Sequence, residues 1–417
     1  MIKLLIIADD FTGALDTGVQ FAKQGVRTLV TTDRDIPLSS VPHDVSVLSV
    51  DLESRHIPFR EAYGRVFALA SRAVSAGVGC IYKKTDSTLR GNIGAELEAV
   101  LRACGSSVMF VPAYPKSGRT TRDGVQYVNG VPLGESAIAK DPIDPVVISS
   151  VTDIIALQTS VKAMYVPVFC CGRAHFSEPD SIYVFDAESD DELDLIARSL
   201  WAEGRTGVLA GCAGFAEKLP DLMKLPRTEG YEPSVRDSLL IVSGSVNQVS
   251  VDQLDAGMRY GFQSVCLTAE QKLLRTAQGD AARRSAAETA AAGLLSCGRV
   301  MLRSIASRAD MDEAAELAAQ LGIDAGAVPA LAAEAMGAVT KAVFDTGTLP
   351  NLAVFGGDTL LSVLEKLGCG GLIPHTEIAP GIVMSRVLRP GGDFEIVTKA
   401  GGFGGGDAVG DIVRFLQ

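Results

Sequence analysis

The stretch Ile6–Gly18, IIADDFTGALDTG, decides how the chain is read. It closes an apolar run, so Ile2–Ala8 is predicted to be a buried strand. Asp9–Gly13 is the turn out of that strand, and Ala14–Lys23 has helical spacing. Two adjacent carboxylates, Asp9 and Asp10, therefore fall where a strand ends and a helix begins. In a parallel sheet this edge collects ligands. An N-cap role accounts for one aspartate, but not for the second, nor for Asp16 a turn later. A carboxylate there suits hydroxyl binding, metal binding or proton abstraction.

The same rhythm repeats outward. Strands are predicted at Arg27–Thr31, Ser46–Val50, Gly79–Tyr82, Val108–Val111 and Ser181–Phe185. Helices are predicted at Arg60–Ala76, Ile93–Ala103 and Asp190–Trp201. The pattern fades between Leu219 and Ser238, a stretch with three prolines and mixed charge. A second series follows, with strands at Leu239–Val242, Ser264–Leu267, Val300–Leu302, Leu352–Phe355 and Glu395–Lys399. Ala-rich helices are predicted around Asp280–Leu295, Met311–Leu321 and Val328–Asp345. The fold class is α/β: two domains, each a mostly parallel sheet flanked by helices. The boundaries read as residues 1–225, a linker at 226–237, and 238–417.

Composition narrows the function. The chain has 417 residues, 47% of them hydrophobic, and a formal net charge of −12. That excludes disorder and makes a general binder of nucleic acid or anionic membrane a poor fit. An anionic ligand must be caught by a local cluster of cations and backbone N–H groups. The eight cysteines include no CxxC pair, and Cys170 and Cys171 adjoin, which suits reduced thiols in the cytoplasm. His43, His56, His175 and His375 form no HxH or HxxxH pair, so a histidine metal site is not expected. The opening apolar run is too short for a signal peptide, and no membrane span is expected.

Several junctions carry chemistry. DLESRHIP (Asp51–Pro58) puts Arg55, with a fork suited to carboxylate or phosphate, after a strand. YKKTDSTLRGNIGAEL (Tyr82–Leu97) packs Lys83, Lys84, Asp86, Ser87, Thr88, Arg90 and Asn92 between two apolar elements. Such density is costly unless a ligand satisfies it. The loop Pro112–Ser136 adds Lys116, Arg119 and Arg122. In the second half, IVSGSVNQ, FGGDTLLSVLEKLG and KAGGFGGGD place glycines at strand–helix turns. Glycine lets the backbone approach phosphate, and a helix N-terminus presents free N–H groups. The P-loop and GxGxxG strings are both absent, which disfavours a P-loop protein and a dinucleotide oxidoreductase.

Together, ADDFTGALDTG, KKTDSTLRGNIGAE, GRTT…VNGVPLGES, FGGDT and KAGGFG resemble the four-carbon acid sugar kinases, in order and over nearly the whole chain. The resemblance implies an acid-binding N-terminal domain, an ATP-binding C-terminal domain and an active site in the cleft between them. It implies that Asp10, Arg55, Lys84, Thr85, Asp86 and Ser87 hold the sugar acid. Asp10 and Asp86 would be catalytic, one of them orienting or deprotonating the C4 hydroxyl. Ser245, Gly356, Gly357, Asp358, Thr359 and Gly402 would hold ATP, with Mg²⁺ arriving on the nucleotide. Asp358 is read either as a metal or water holder or as a helix cap; no protein metal ligands are assigned. KKTDSTLRGN, VNGVPLGES and DPIDP look most like D-threonate kinases, with D-erythronate and 3-oxo-tetronate kinases as alternatives. A non-catalytic sugar-acid sensor is the more distant reading. The implied partner is a small-molecule acid; a homodimer is one assembly open to it.

Overall fold

The structure, a computed structural model, describes residues 2–140, 144–170, 176, 178–228, 233–390 and 392–417. His175, Cys171, the first three residues of DPIDP and residues 229–232 of the expected linker lie outside the described residues. The chain divides into two compact units, Met1–Gly230 and Tyr231–Gln417.

The first unit contains β1 (Leu4–Ala8), β2 (Thr28–Thr31), β3 (Val47–Asp51), β4 (Cys80–Lys84), β5 (Val108–Val111), β6 (Arg119–Arg122), β7 (Val125–Val128), β8 (Val131–Pro132), β9 (Ala163–Val166), β10 (Ile182–Phe185) and β11 (Val208–Gly211). Its helices are α1 (Phe11–Ala22), α2 (Phe59–Ser75), α3 (Ile93–Cys104), α4 (Val151–Ala156), α5 (Asp190–Ala202), α6 (Ala213–Ala216) and α7 (Leu219–Met223). The strands order as β2-β3-β1-β4-β11-β5-β10-β9, paired in parallel. β1 is buried along its whole length, as a parallel strand covered on both faces should be. From β1 the chain moves toward β2, and after β3 it crosses to β4. The direction of winding therefore switches between β1 and β4, the place where such sheets bind ligands at the strand ends.

Two boundaries differ from the sequence reading in ways that matter. Asp10 caps α1 by accepting a hydrogen bond from the Gly13 amide at 3.0 Å, so the helix starts at Phe11 and not at Ala14. β4 runs on through Lys83 and Lys84, because both pair with β11, a short strand the sequence pattern does not reveal. Pro112–Ser136 is not only loop: it contains the antiparallel sheet β6-β7-β8. The fading stretch also has structure. Leu219–Met223 is helical, and the Thr228 amide donates to Gly25 at 2.7 Å, within the first unit. The Arg236 amide donates to Asn351 at 3.0 Å, within the second.

The second unit contains β12 (Leu239–Ser243), β13 (Gln263–Cys266), β14 (Arg299–Arg303), β15 (Asn351–Phe355), β16 (Gly371–Ala379), β17 (Ile382–Leu388) and β18 (Phe394–Lys399). Its helices are α8 (Gln248–Gly257), α9 (Ala269–Leu273), α10 (Ala277–Cys297), α11 (Arg308–Leu321), α12 (Val328–Asp345), α13 (Gly357–Lys366) and α14 (Ala408–Phe415). The order is β13-β14-β12-β15-β18-β17-β16, parallel through β18 and then antiparallel. Winding switches between β12 and β15. The region Ala325–Asp345 is long and apolar enough to cross a membrane. Ala335, Met336, Val339 and Val343 within it are buried, so it reads as a core helix. Gly337 on α12 has no spare room: a Cβ there would lie 2.4 Å from the Ser362 hydroxyl on α13.

Candidate functional site

At the edge of β1, β3 and β4 the first unit assembles an ion network. Arg55 Nε lies 2.7 Å from Asp9 Oδ2, and its Nη2 lies 2.8 Å from Asp10 Oδ1 and 3.8 Å from Asp86 Oδ1. No described residue engages Arg55 Nη1. Burial works against the guanidinium charge, but Asp10, Asp9 and Asp86 outweigh it and raise its pKa. Asp86 accepts from Arg90 Nε at 2.9 Å, from the Thr88 amide at 3.2 Å and from the Thr88 hydroxyl. Burial pushes its pKa upward; Arg55, Arg90 and Thr88 prevail and hold it well below the usual carboxylate range. Asp9 behaves alike: burial opposes ionisation, and Arg55, Lys83 and Lys84 win. Asp10 is the more open carboxylate, with its side chain 31% exposed against 2% for Asp9.

The two lysines of KKTDS part company. Successive side chains in a strand point to opposite faces. Lys83 is fully buried and lies 2.9 Å from Glu96 Oε2 on α3. Glu96 in turn accepts from the Ser54 hydroxyl, and Asn92 Nδ2 donates to the Ser54 and Ile57 carbonyls at 2.7 and 2.9 Å. Lys83, Glu96 and Asn92 thus fix the loop that carries Arg55. Lys84 sits on the other side of the strand, and its Nζ donates to the Thr85 carbonyl at 2.8 Å. A Cβ on Gly13 would lie 2.5 Å from Asp10 Oδ1 and 2.8 Å from Lys84 Nζ. Glycine there lets the acid and the ammonium converge. The Asp9 Oδ1 and Thr85 Oγ1 atoms are buried with no hydrogen-bond partner, an arrangement that native cores seldom tolerate without a ligand or water. Ser87 is half-buried and anchors the hairpin, its carbonyl accepting from Gln126 Nε2 at 3.1 Å.

Backbone strain gathers here too. Leu89 has φ 56° and Glu53 φ 45°, a left-handed conformation that costs a bulky side chain. Of the three cations in the Pro112–Ser136 region, only Arg119 faces the cluster. Its Nε is buried without a partner; burial lowers its pKa and Asp86 opposes that. Lys116 instead pairs with Glu217 and Asp190 at 2.9 and 3.0 Å, and Arg122 pairs with Glu188 at 3.6 Å. Both are surface staples.

In the second unit, a cavity of about 600 Å³ opens at the β12/β15 switch. Gly244, Ser245, Gly356, Asp358, Thr359 and Gly401 form its polar end. The glycines are there for access. A Cβ on Gly244 would meet Thr359 Oγ1 at 2.1 Å, whereas one on Gly401 would make only ordinary contact with Ser245 Oγ at 3.7 Å. Gly356 has φ 101° and precedes α13 without a side-chain cap, which leaves helix N–H groups for a ligand. Asp358 therefore does not act as the N-cap; its exposed carboxylate lines the cavity beside Gly357. Gly402 does not line the cavity; its neighbour Gly401 does, and Gly402 packs toward Asn247. The far wall is apolar, with Ala314, Ala318, Ile323, Val328 and Ala332. Sequence reading missed Lys272, a buried lining residue whose Nζ donates to the Ser304 carbonyl at 3.0 Å. A single lysine in a short helical stretch gives no signal of burial.

Comparison with known proteins agrees with this division of labour. Residues 4–219 match the model of a sugar-binding N-terminal domain, and residues 240–409 match that of a nucleotide-binding C-terminal domain. A D-threonate kinase of Salmonella typhimurium is 32% identical, over 100% of this chain and 98% of its own. A D-erythronate kinase of Heliobacterium modesticaldum is 28% identical, over 100% of this chain and 97% of its own. A crystal structure from Salmonella typhimurium LT2 superposes with a TM-score of 0.84 at 25% identity, covering 100% of both chains.

Proposed function

The chain belongs to the four-carbon acid sugar kinase family, and from that premise we propose that it passes the γ-phosphoryl of ATP to the C4 hydroxyl of D-threonate, giving 4-O-phospho-D-threonate. One observation carries the reading: each unit has a ligand edge at its own winding switch, one built of fixed charges and the other of glycine turns and an apolar wall. The first suits a small hydroxy acid and the second a nucleotide.

Roles follow from the geometry. Asp9 and Asp10 hold the Arg55 guanidinium through its Nε and Nη2, and its Nη1 edge receives the substrate carboxylate. Lys84 and Arg119 add positive charge to that end. Thr85 and Ser87 line the hydroxyl face. Asp86, held ionised by Arg55 and Arg90, is a poor proton acceptor and acts by gripping and orienting a hydroxyl. Asp10, more open and bound by fewer donors, takes the C4 hydroxyl proton as oxygen attacks phosphorus. Ser245, the Gly356–Thr359 turn and Gly401 cradle the phosphates. Transfer of this kind rests on in-line positioning and charge neutralisation.

Among the described residues no group of three or more His, Cys, Asp or Glu side chains forms a metal cluster. The exposed Asp358 carboxylate fits a Mg²⁺ ion carried mainly by the triphosphate and water, directly or through a water; bound there, the ion would neutralise phosphate charge. The seven free cysteines among the described residues suit a cytoplasmic enzyme. A homodimer is the assembly to check by light scattering.

The test is ADP release, coupled to a dye or NADH, with a panel of four-carbon acids. D-threonate should give the highest kcat/KM. A higher value with D-erythronate or 3-oxo-tetronate would reassign the acceptor. Acid binding without ADP release from any member would leave a sensor in place of an enzyme. Arg55→Ala should raise KM for the acid far more than KM for ATP; equal effects refute its role.

A further inference from the structure

Lys399 closes β18 and is 2% exposed, yet among the described residues no carboxylate answers it. Its Nζ donates to the Gly401 carbonyl at 2.9 Å, the Ala400 carbonyl at 3.1 Å and the Ser250 hydroxyl at 3.3 Å. It also lies 5.0 Å from the centre of the Phe355 ring. All of these partners are neutral. The acids on the elements packed around it are engaged elsewhere. Asp252 accepts from Gln248, Asp255 pairs with Arg303, Glu377 accepts from the Gly381 amide, and Asp407 binds Tyr260, Arg259 and Arg414. Asp358 opens α13 and makes no bond to it. A buried charge is ordinarily paired, because its desolvation is expensive.

Its position explains what the missing partner is. The Lys399 carbonyl accepts the Gly356 amide at 3.0 Å, which sets the turn before α13. Its ammonium binds Gly401 and Ser250, and the Ser250 hydroxyl itself donates to the Gly401 carbonyl at 2.7 Å. One residue therefore holds two of the turns that meet at Ser245. Building on the nucleotide site proposed above, we propose that Lys399 is its positioning residue: a buried cation whose charge is balanced only when the phosphate chain of the nucleotide binds between the turns it holds. Burial alone brings its ammonium down to about 8 in the free protein. A bound polyanion favours the charged form, so nucleotide binding near that pH takes up a proton, and affinity falls as pH rises past it.

The experiment uses the full chain with Lys399→Met and Lys399→Arg. Calorimetry gives Kd for ATP, ADP and AMP at pH 8, in two buffers of different ionisation enthalpy. Lys399→Met should weaken ATP on the order of tenfold or more, ADP less and AMP least, because the loss scales with phosphate charge. Lys399→Arg should recover most of it. The wild type should take up a fraction of a proton with ATP, and Lys399→Met none. Unchanged ATP affinity in a folded Lys399→Met, or an equal loss for all three nucleotides, overturns the inference while leaving the nucleotide site intact. Should the Met variant not fold, proton uptake by Lys399→Arg decides: it should fall below that of the wild type, because a guanidinium stays charged, and uptake equal to the wild type overturns the inference. A wild type that binds no nucleotide overturns the site and this inference together.

Discussion

The edge of β1, β3 and β4 and the edge of β12, β15 and β18 both lie at the winding switch of a run of parallel strands, yet they are made of opposite materials. The first is nearly saturated: Arg55 alone lies within 4 Å of three carboxylates. The second is open space, bounded by glycine turns, a few polar side chains and an apolar wall, with Lys399 behind the Gly401 turn. The difference follows ligand size. A four-carbon acid has few atoms, so each must meet a fixed, directional partner, and preorganised charges supply that without reorganisation. A triphosphate is bulky and charged throughout, so close backbone approach and a bare wall for the base serve better.

That contrast can be tested by damaging one edge and reading both. The largest effect belongs to Asp10. Asp10→Asn should cut kcat by ~10²–10⁴-fold and leave ATP affinity unchanged, measured by single-turnover phosphoryl transfer. A fully active variant removes Asp10 from proton transfer. Gly244→Ala should come next, on the other edge. Its methyl would strike Thr359, so KM for ATP should rise by roughly tenfold or more while acid affinity holds, as read by separate titrations. Arg119→Gln should raise KM for the acid about tenfold, or ~1.4 kcal/mol, with kcat little changed. No change would leave Arg119 a structural residue.

Acid sharpens the comparison further. The Asp9 and Asp86 pKa values are depressed below their unfolded value of 3.8. Their contribution to stability is complete above that pH and is lost as pH falls below it. Urea unfolding between pH 5 and pH 3 should show the first unit losing stability ahead of the second, followed by Trp201 fluorescence, the one tryptophan, which lies on α5. The smallest effect belongs to Lys116→Ala. An exposed ion pair contributes ~0–1 kcal/mol, so both KM values should stay put.

Much of this was legible from residue order. Long β-branched runs bounded by turns placed the central strands, and the glycine turns marked the second site, because parallel sheets leave a strong apolar signature. What stayed hidden has physical causes. β11 is four residues of small and apolar type, too short to tell from a loop. β16 and β17 bury only their first four residues in a row, and Gly371, Pro374 and Ser385 interrupt the apolar sequence there, so neither offered a long β-branched run. Lys83 and Lys84 look like turn residues by charge. Strand pairing with β11 overrode that, and Glu96, distant in sequence, neutralises one of them. Arg119 and Lys116 are indistinguishable by type; only the fold shows that Glu217 and Asp190 claim one and not the other. Lys399 ends an apolar strand, where burial of its ammonium is a tertiary fact.

The tight seam between α12 and α13 bears on the cavity. With Gly337 pressed against Ser362, any side chain at that position would act as a wedge on α13, and the far end of that lever is the Gly356–Asp358 turn. The shape of the cavity can therefore be altered from a position on α12 that does not itself line it, without a change to any lining residue.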